Sequence, residues 1–185
     1  LGRITTTIEL EGSARTPGLR DAGTVEFVTA DAAASAPYLA ALASCGLDVR
    51  AVSVPSGKAG LLILAQGLTE QRGSLYPSIL ESLKGAARDF EQAGGTLILL
   101  QDTGGTFQPG DQRAWLGGLT GLARTAAREF PKATVRLIDL DTSGLGPDLA
   151  AARLIEELLS GGTAPVVGLS ARGRFVPQDN SLILP

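Results

Sequence analysis

The stretch Gly94–Asp141, GGTLILLQDTGGTFQPGDQRAWLGGLTGLARTAAREFPKATVRLIDLD, reads as strand, loop, helix and strand. Thr96–Leu100 is a short apolar run ahead of the turn signal Asp102-Thr103-Gly104-Gly105. A continuous apolar run of that length suits a strand buried on both faces. Pro109, Gly110 and Asp111 punctuate a loop, with Asp111 as the expected N-cap. Trp115, Leu119, Leu122, Ala126 and Phe130 then recur at helical spacing, which predicts one apolar face. Gly117, Gly118 and Gly121 predict a close neighbour for this helix. Pro131 stops it, and Thr134–Leu140 reads as the next strand. Strand, crossover helix, strand is the unit of a parallel sheet.

Outward from this unit the alternation continues. Ile4–Leu10 alternates weakly as a strand, and Gly12–Gly23 is a small, polar arm. Thr24–Thr29 reads as a strand. A helix follows, with Pro37 expected in its first turn and Tyr38, Leu39, Leu42 and Cys45 on its apolar face, ending at Gly46. Asp48–Val54 and Gly60–Ala65 read as strands. Ser74–Ala93 is a helix with the stripe Leu75, Ile79, Leu83, Ala86 or Ala87, and Phe90. Pro147 opens a last helix with Leu149, Ala152, Leu154, Ile155, Leu158 and Leu159 as its expected buried set, closed by Gly161-Gly162. Val166–Leu169 and Phe175-Val176 complete the strands. The pattern predicts an α/β fold: a doubly wound, mostly parallel, Rossmann-like sheet of about six strands. Residues 1–185 read as a single domain, with 1–23 as an N-terminal strand and arm.

Composition narrows the function. The chain has 185 residues, enough for one sizeable core. A net charge of −3 with scattered Lys and Arg gives no face for nucleic acid. There is no histidine, which removes the commonest general base and metal ligand. Cys45 is the single cysteine, expected as a small core residue. No run is apolar enough to span a bilayer, and no secretory leader is recognisable, so a cytoplasmic setting is expected. The chain opens on Leu1 and contains no Met, which reads as a piece of a larger polypeptide.

A dinucleotide site can be tested from residues alone. It needs glycines after the first strand of the doubly wound unit, so that the backbone can approach a pyrophosphate at the helix N-terminus. Here that strand runs into Ala30-Asp31-Ala32-Ala33-Ala34-Ser35-Ala36-Pro37, and Val25–Cys45 contains no glycine. Asp31 would also set a carboxylate against the phosphates. Asp102–Gly105 could form an anion nest, but Asp and Gly there read first as a turn. Asp139 and Asp141 could pair as acids or metal ligands. No third ligand is apparent, and alternate strand positions plus an N-cap account for them.

Gly121-Leu122-Ala123-Arg124, Ala127-Arg128-Glu129-Phe130-Pro131 and Val135-Arg136-Leu137-Ile138-Asp139-Leu140, then Val166-Val167-Gly168-Leu169 and Arg172-Gly173-Arg174, carry a resemblance. Together they are similar to the ketoreductase region of modular polyketide and polyunsaturated fatty acid synthases. That region is built from two short-chain-dehydrogenase-like halves, one structural and one catalytic. The resemblance is to the structural half and is clearest over 94–176. It implies that the position of the family's catalytic Tyr falls on Gln112, that of the Lys on Leu116, and that of the Ser near Thr103. Tyr38 and Tyr76 lie elsewhere.

The resemblance therefore implies no catalytic, cofactor-binding or metal residue in this chain. NADPH is expected only in a catalytic half, for which this chain would be a support, in a parent that reduces 3-ketoacyl groups on an acyl carrier protein. The catalytic half would be expected to begin near Pro185. The alternatives are an active short-chain dehydrogenase with an atypical site, or a stand-alone flavodoxin-like interaction module.

Overall fold

The computed structural model describes residues 5–7, 23–58, 60–69, 71–107, 113–160 and 164–178. Its elements are β1 (Thr5–Thr7), β2 (Thr24–Val28), α1 (Ala32–Ser44), β3 (Asp48–Val52), β4 (Leu61–Ala65), α2 (Gln66–Thr69), α3 (Leu75–Gln92) and β5 (Gly95–Gln101). A 3-10 turn, Ala114–Gly117, leads into α4 (Gly118–Glu129). Then follow β6 (Ala133–Leu140), α5 (Thr142–Leu145), α6 (Pro147–Ser160), β7 (Val166–Ser170) and β8 (Gly173–Gln178). Of the expected N-terminal strand and arm, only Thr5–Thr7 and Gly23 fall within the described residues.

One sheet holds these strands in the order β1-β8-β7-β6-β5-β4-β2-β3. From β3 to β7 all pairings are parallel; β8 runs antiparallel to β7, and β1 to β8. This is the predicted mostly parallel, doubly wound α/β sheet. Counted from β2, its parallel strands follow the order 2-1-3-4-5 and continue outward. That is the flavodoxin-like order, and also the dinucleotide order 3-2-1-4-5-6 with its outermost strand removed. The order reverses between β2 and β4, so the switch point of the sheet lies there.

Period-two alternation sends the strand side chains to two cores. Val25, Phe27, Ile63, Ile98 and Ile138 meet Leu42 of α1 and Leu154 and Leu158 of α6. Leu62, Leu64, Leu97, Leu99 and Leu137 meet Ile79 and Phe90 of α3 and Leu119 and Ala123 of α4. The stripe read along α3 is the buried one: Leu75, Ile79, Leu83, Ala86 and Phe90. The crossover from β3 to β4 is different. Its described residues contain no helix, so a short strap lies where most doubly wound folds place one.

Several expectations shift. The strand expected to reach Val54 ends at Val52, and Val54 is exposed. Pro37 lies inside α1 rather than in its first turn, because Asp31 caps the helix and α1 opens at Ala32, five residues before the proline. Cys45 is exposed, not in the core, since α1 ends there and Gly46 turns the chain at positive φ. On α4 the buried line is Leu116, Leu119, Ala123, Ala126 and Phe130, with Trp115 and Leu122 half-buried on its flank. Of the three glycines, only Gly118 meets a neighbour: a Cβ there would collide with the Tyr76 ring and hydroxyl. Asp111, Gly161 and Gly162 lie outside the described residues.

On α6 the buried set is Ala150, Ala151, Leu154, Glu157 and Leu158, while Leu149 and Ala152 are exposed. A polar contact sets this rotation. Glu157 accepts from the guanidinium of Arg136 on β6 and, at 2.8 Å, from Nε of Arg174 on β8. Arg136 and Glu157 are each 2 % exposed along the side chain. Removing one member of such a buried group leaves an uncompensated charge, at a cost of about 3–5 kcal/mol. Glu157→Ala should therefore lose about that much stability in urea denaturation. Leu149→Ala, at an exposed leucine of the same helix, should stay within about 0.5 kcal/mol. Equal losses for the two variants would refute this role for the triad.

Candidate functional site

In open α/β sheets ligands bind beyond the carboxyl ends of the strands, at the switch point. That edge is made here by the turns after β2, β4, β5 and β6, and side chains of the chain itself fill it.

After β2, the Thr29 hydroxyl accepts from the Asp31 N–H at 3.1 Å and from the Ser35 hydroxyl at 2.8 Å. Thr29 in turn donates to the Asp31 carbonyl at 3.1 Å. Asp31 Oδ1 accepts from the Ala34 N–H at 2.9 Å. A carboxylate thus occupies the N-terminus of α1, where a dinucleotide fold seats a pyrophosphate. Neither the residues nor the charge fits a dinucleotide at that position.

After β5, the turn Asp102–Gly105 has its donors taken from within. The Thr103 N–H and hydroxyl both donate to Asp139 at 2.6 Å, and the Phe107 N–H joins them at 3.1 Å. The Gly104 N–H turns to Asp102 Oδ1 at 3.2 Å. The nest that could have cradled an external anion already holds two internal carboxylates. The turn is also wedged against β7: a Cβ on Gly105 would lie 2.3 Å from the Leu169 carbonyl oxygen, and one on Gly168 2.1 Å from that of Gly105. Phe107 adopts φ 55° to close the loop onto the core.

The acids at this edge have separate tasks. Asp139 is fully buried, and burial pushes its carboxyl above the usual range. The hydrogen bonds from Thr103 and Phe107 oppose that rise, and nearby Asp102 adds to it. Asp102, 2 % exposed, pairs with Arg113 and accepts from the Thr142 hydroxyl. Asp141 caps α5 through the Gly144 N–H at 2.8 Å, as its N-cap reading anticipated. Asp139 and Asp141 are therefore not a working pair. Among the described residues no group of three or more metal-ligating side chains occurs.

The positions singled out by resemblance are placed as follows. Thr103 is 4 % exposed, with its hydroxyl committed to Asp139. Leu116, at the lysine position, is 2 % exposed and belongs to the core. Gln112 lies outside the described residues. Tyr76 donates to the Trp115 carbonyl at 2.6 Å, bracing α3 against the start of α4. Tyr38 stacks on Phe27 at 6.2 Å, and burial, then the charge of Asp102, push its phenol up to about 12.

Sequence reasoning missed the buried amides Gln66 and Gln101. Gln66 donates to Ser82 of α3 at 3.1 Å, and Gln101 donates to Thr103 at 3.4 Å. A polar residue at the end of an apolar strand run was the available signal. Among the described residues no helix is long and apolar enough to cross a membrane.

No protein-family model matches the sequence, and no curated sequence is close enough to count as a relative. Solved structures do match the fold. A C2-type ketoreductase from a modular polyketide synthase aligns over 94% of this chain and 43% of its own, at 19% identity and TM-score 0.66. The adenylation, ketoreductase and pseudo Asub multidomain structure of a keto acid-selecting NRPS module aligns over 94% of this chain and 18% of its own, at 13% identity and TM-score 0.68. A short chain dehydrogenase from Mycobacterium smegmatis aligns over 82% of this chain and 91% of its own, at 18% identity and TM-score 0.53. These likenesses show a shared mostly parallel, Rossmann-like α/β fold, and the chain spans less than half of the first two structures.

Tyrosine ionisation tests the packing at this edge. Tyr38 keeps its proton to about pH 12 when folded, against 10.0 when unfolded. Its contribution to stability is complete below pH 10 and is lost as pH rises towards 12. Absorbance titration of the native protein should show a late phenol that is missing in Tyr38→Phe. Tyr38→Phe should also lose less stability than the parent between pH 10 and 12. A wild-type curve with both phenols titrating near 10 would contradict this placement. Thr103→Val, which removes one donor to Asp139, should cost about 1–3 kcal/mol and lift that carboxyl further.

Proposed function

We propose that this chain is the non-catalytic, structural half of a ketoreductase in a multidomain synthase of the polyketide or polyunsaturated fatty acid type. Its role is to pack against a catalytic half that binds NADPH and reduces a 3-ketoacyl group carried on an acyl carrier protein. The observation that carries this reading is the filled edge. Asp31 stands at the pyrophosphate position, Asp139 occupies the turn at Thr103, and Leu116 is buried where a lysine would act. A ketoreductase fold whose ligand edge is closed by its own carboxylates suits a partner of a reductase rather than a reductase. The modest share of the two synthase structures that the chain spans favours the same view.

Phe175 of β8 packs into the domain: it is 6 % exposed, with the Arg172 guanidinium 5.5 Å from its ring centroid. Leu182, Ile183 and Leu184 lie outside the described residues. A stand-alone interaction module is the second reading, favoured by the flavodoxin-like strand order. An atypical active dehydrogenase is disfavoured by the same closed edge.

Calorimetry with NADPH should give no saturable heat for this chain, and a dissociation constant in the micromolar range would refute the structural role. Co-expression with a catalytic ketoreductase half of the same parent should give a stable pair with a raised Tm and with NADPH-dependent reduction of a 3-ketoacyl thioester. If the catalytic half is equally stable and active alone, the interaction module becomes the better reading.

A further inference from the structure

β3 is the outermost parallel strand of the sheet, and among the described residues no strand pairs with its outer side. A free strand edge is a template for another chain, and natural folds blunt it with Lys, Pro, a bulge or a covering helix. β3 has none of these. Asp48–Val52 contains neither Lys nor Pro, and it pairs with β2 without a bulge. The described residues between β3 and β4 hold no helix. The direction of its backbone groups follows from one bond. The Thr29 N–H donates to the Val52 carbonyl at 3.0 Å, so Val52, and by alternation Arg50 and Asp48, turn their backbone groups to β2. Leu47, Val49 and Ala51 turn theirs outward.

The charges on this edge complement themselves. Asp48 and Arg50 are exposed, lie on one face of the strand and pair with each other at 3.0 Å. In an antiparallel pairing of two β3 strands, outward-turned residues must meet outward-turned residues, so the register moves only in steps of two. A two-fold axis at Val49 sets Asp48 of each copy opposite Arg50 of the other, in the closely spaced pairs where side chains meet. The neighbouring registers set Asp48 against Asp48 or Arg50 against Arg50, and like charges directly opposite destabilise. The charges therefore select one register. The helix beside this edge agrees with it. α1 packs on the same face as Leu47 and Val49 and has no charged residue, although Ala33, Ala36, Ala40 and Ala43 are exposed along it. The exposed sides of α3 and α4 carry Lys84, Arg88, Arg124 and Arg128 instead. A helix without a charged face is ordinarily covered.

We propose that β3 receives a second copy of this chain: two copies join antiparallel through β3, about a two-fold axis at Val49, into one continuous sheet. Val49 meets Val49, the backbones of Leu47 and Ala51 exchange hydrogen bonds, and Asp48 and Arg50 of the two copies form a cluster of four alternating charges. The axis is perpendicular to the sheet, so the two α1 helices lie on the same side and flank it. A second copy is favoured over another polypeptide because the order Asp48-Val49-Arg50 is its own complement when read in reverse. The pairing is isologous, so it closes on a dimer and builds no filament. It uses neither the carboxyl edge nor β8, and it does not depend on the ketoreductase reading.

Analytical ultracentrifugation of the 185-residue protein tests this. The interface is small, so a dissociation constant on the order of micromolar is expected. The mass should rise from 18.9 kDa towards twice that value as the concentration is raised from about 1 to about 100 µM. Asp48→Arg sets like charges opposite each other in both closely spaced pairs and should weaken the dimer about tenfold. Asp48→Arg combined with Arg50→Asp restores the opposition in reverse order and should return the dissociation constant to within about threefold of the parent. Ala51→Pro removes an outward N–H and leaves the bonds to β2 in place, so it should fold and stay monomeric. Thermal melts followed by circular dichroism show which variants are folded, and where Asp48→Arg is not, Ala51→Pro decides. The proposal is overturned if the parent stays monomeric throughout that range, or if folded Ala51→Pro dimerises as the parent does. It is also overturned if folded Asp48→Arg dimerises as tightly as the parent, or if the double exchange fails to recover what Asp48→Arg loses.

Discussion

Strands β4 and β5 have no face towards water. Leu61 to Ala65 are all buried, as are Thr96 to Gln101, so each side chain needs a partner from a helix above or below. The two-sided architecture follows from this. α1 and α6 must cover one face and α3 and α4 the other, and loops between them must be short enough to keep those helices in place. The polar groups of the domain are left with two locations, the carboxyl edge of the sheet and its flanks.

At the carboxyl edge several polar groups answer one another, while Oε1 of Gln66 and Oε1 of Gln101 are buried without a hydrogen-bond partner. Asp31 answers the Ala34 amide at the start of α1, and Asp139 answers Thr103 and Phe107. Each carboxylate accepts from backbone N–H at a helix end or turn, the kind of donor that could otherwise meet a bound anion. The fold thereby keeps the shape of a binding site while spending its donors on its own stability. On the flank Glu26 accepts from the Ser56 N–H at 2.9 Å.

Most of the fold could be read from local pattern. The run Leu61–Ala65 and the stripe Leu75, Ile79, Leu83, Ala86, Phe90 follow from spacing alone, as does the filled loop after β2, since a missing glycine is visible in one dimension. What local pattern could not supply were the contacts between distant segments. Glu157 faces inward because Arg136 lies 21 positions away, and this turns α6 away from the leucine count that put Leu149 inside. Asp139 read as a strand position with no stated partner, because Thr103 and Phe107 precede it by more than 30 residues. The close approach of Gly105 to Gly168 likewise joins two elements that no spacing connects. The Asp102–Gly105 turn was legible as a turn, and the carboxylate that fills it was not.

The Arg136–Glu157–Arg174 triad also has a mechanical meaning. Tension applied through β8 would reach β7 by the hydrogen bonds of the hairpin and, through Arg174 and Glu157, pass to α6 and on to Arg136 in β6. Peeling the last strand away must expose a buried charge as well as break a ladder. The sheet's outer hairpin is thus latched to its interior, and a load arriving through that strand is shared with the core before the edge gives way.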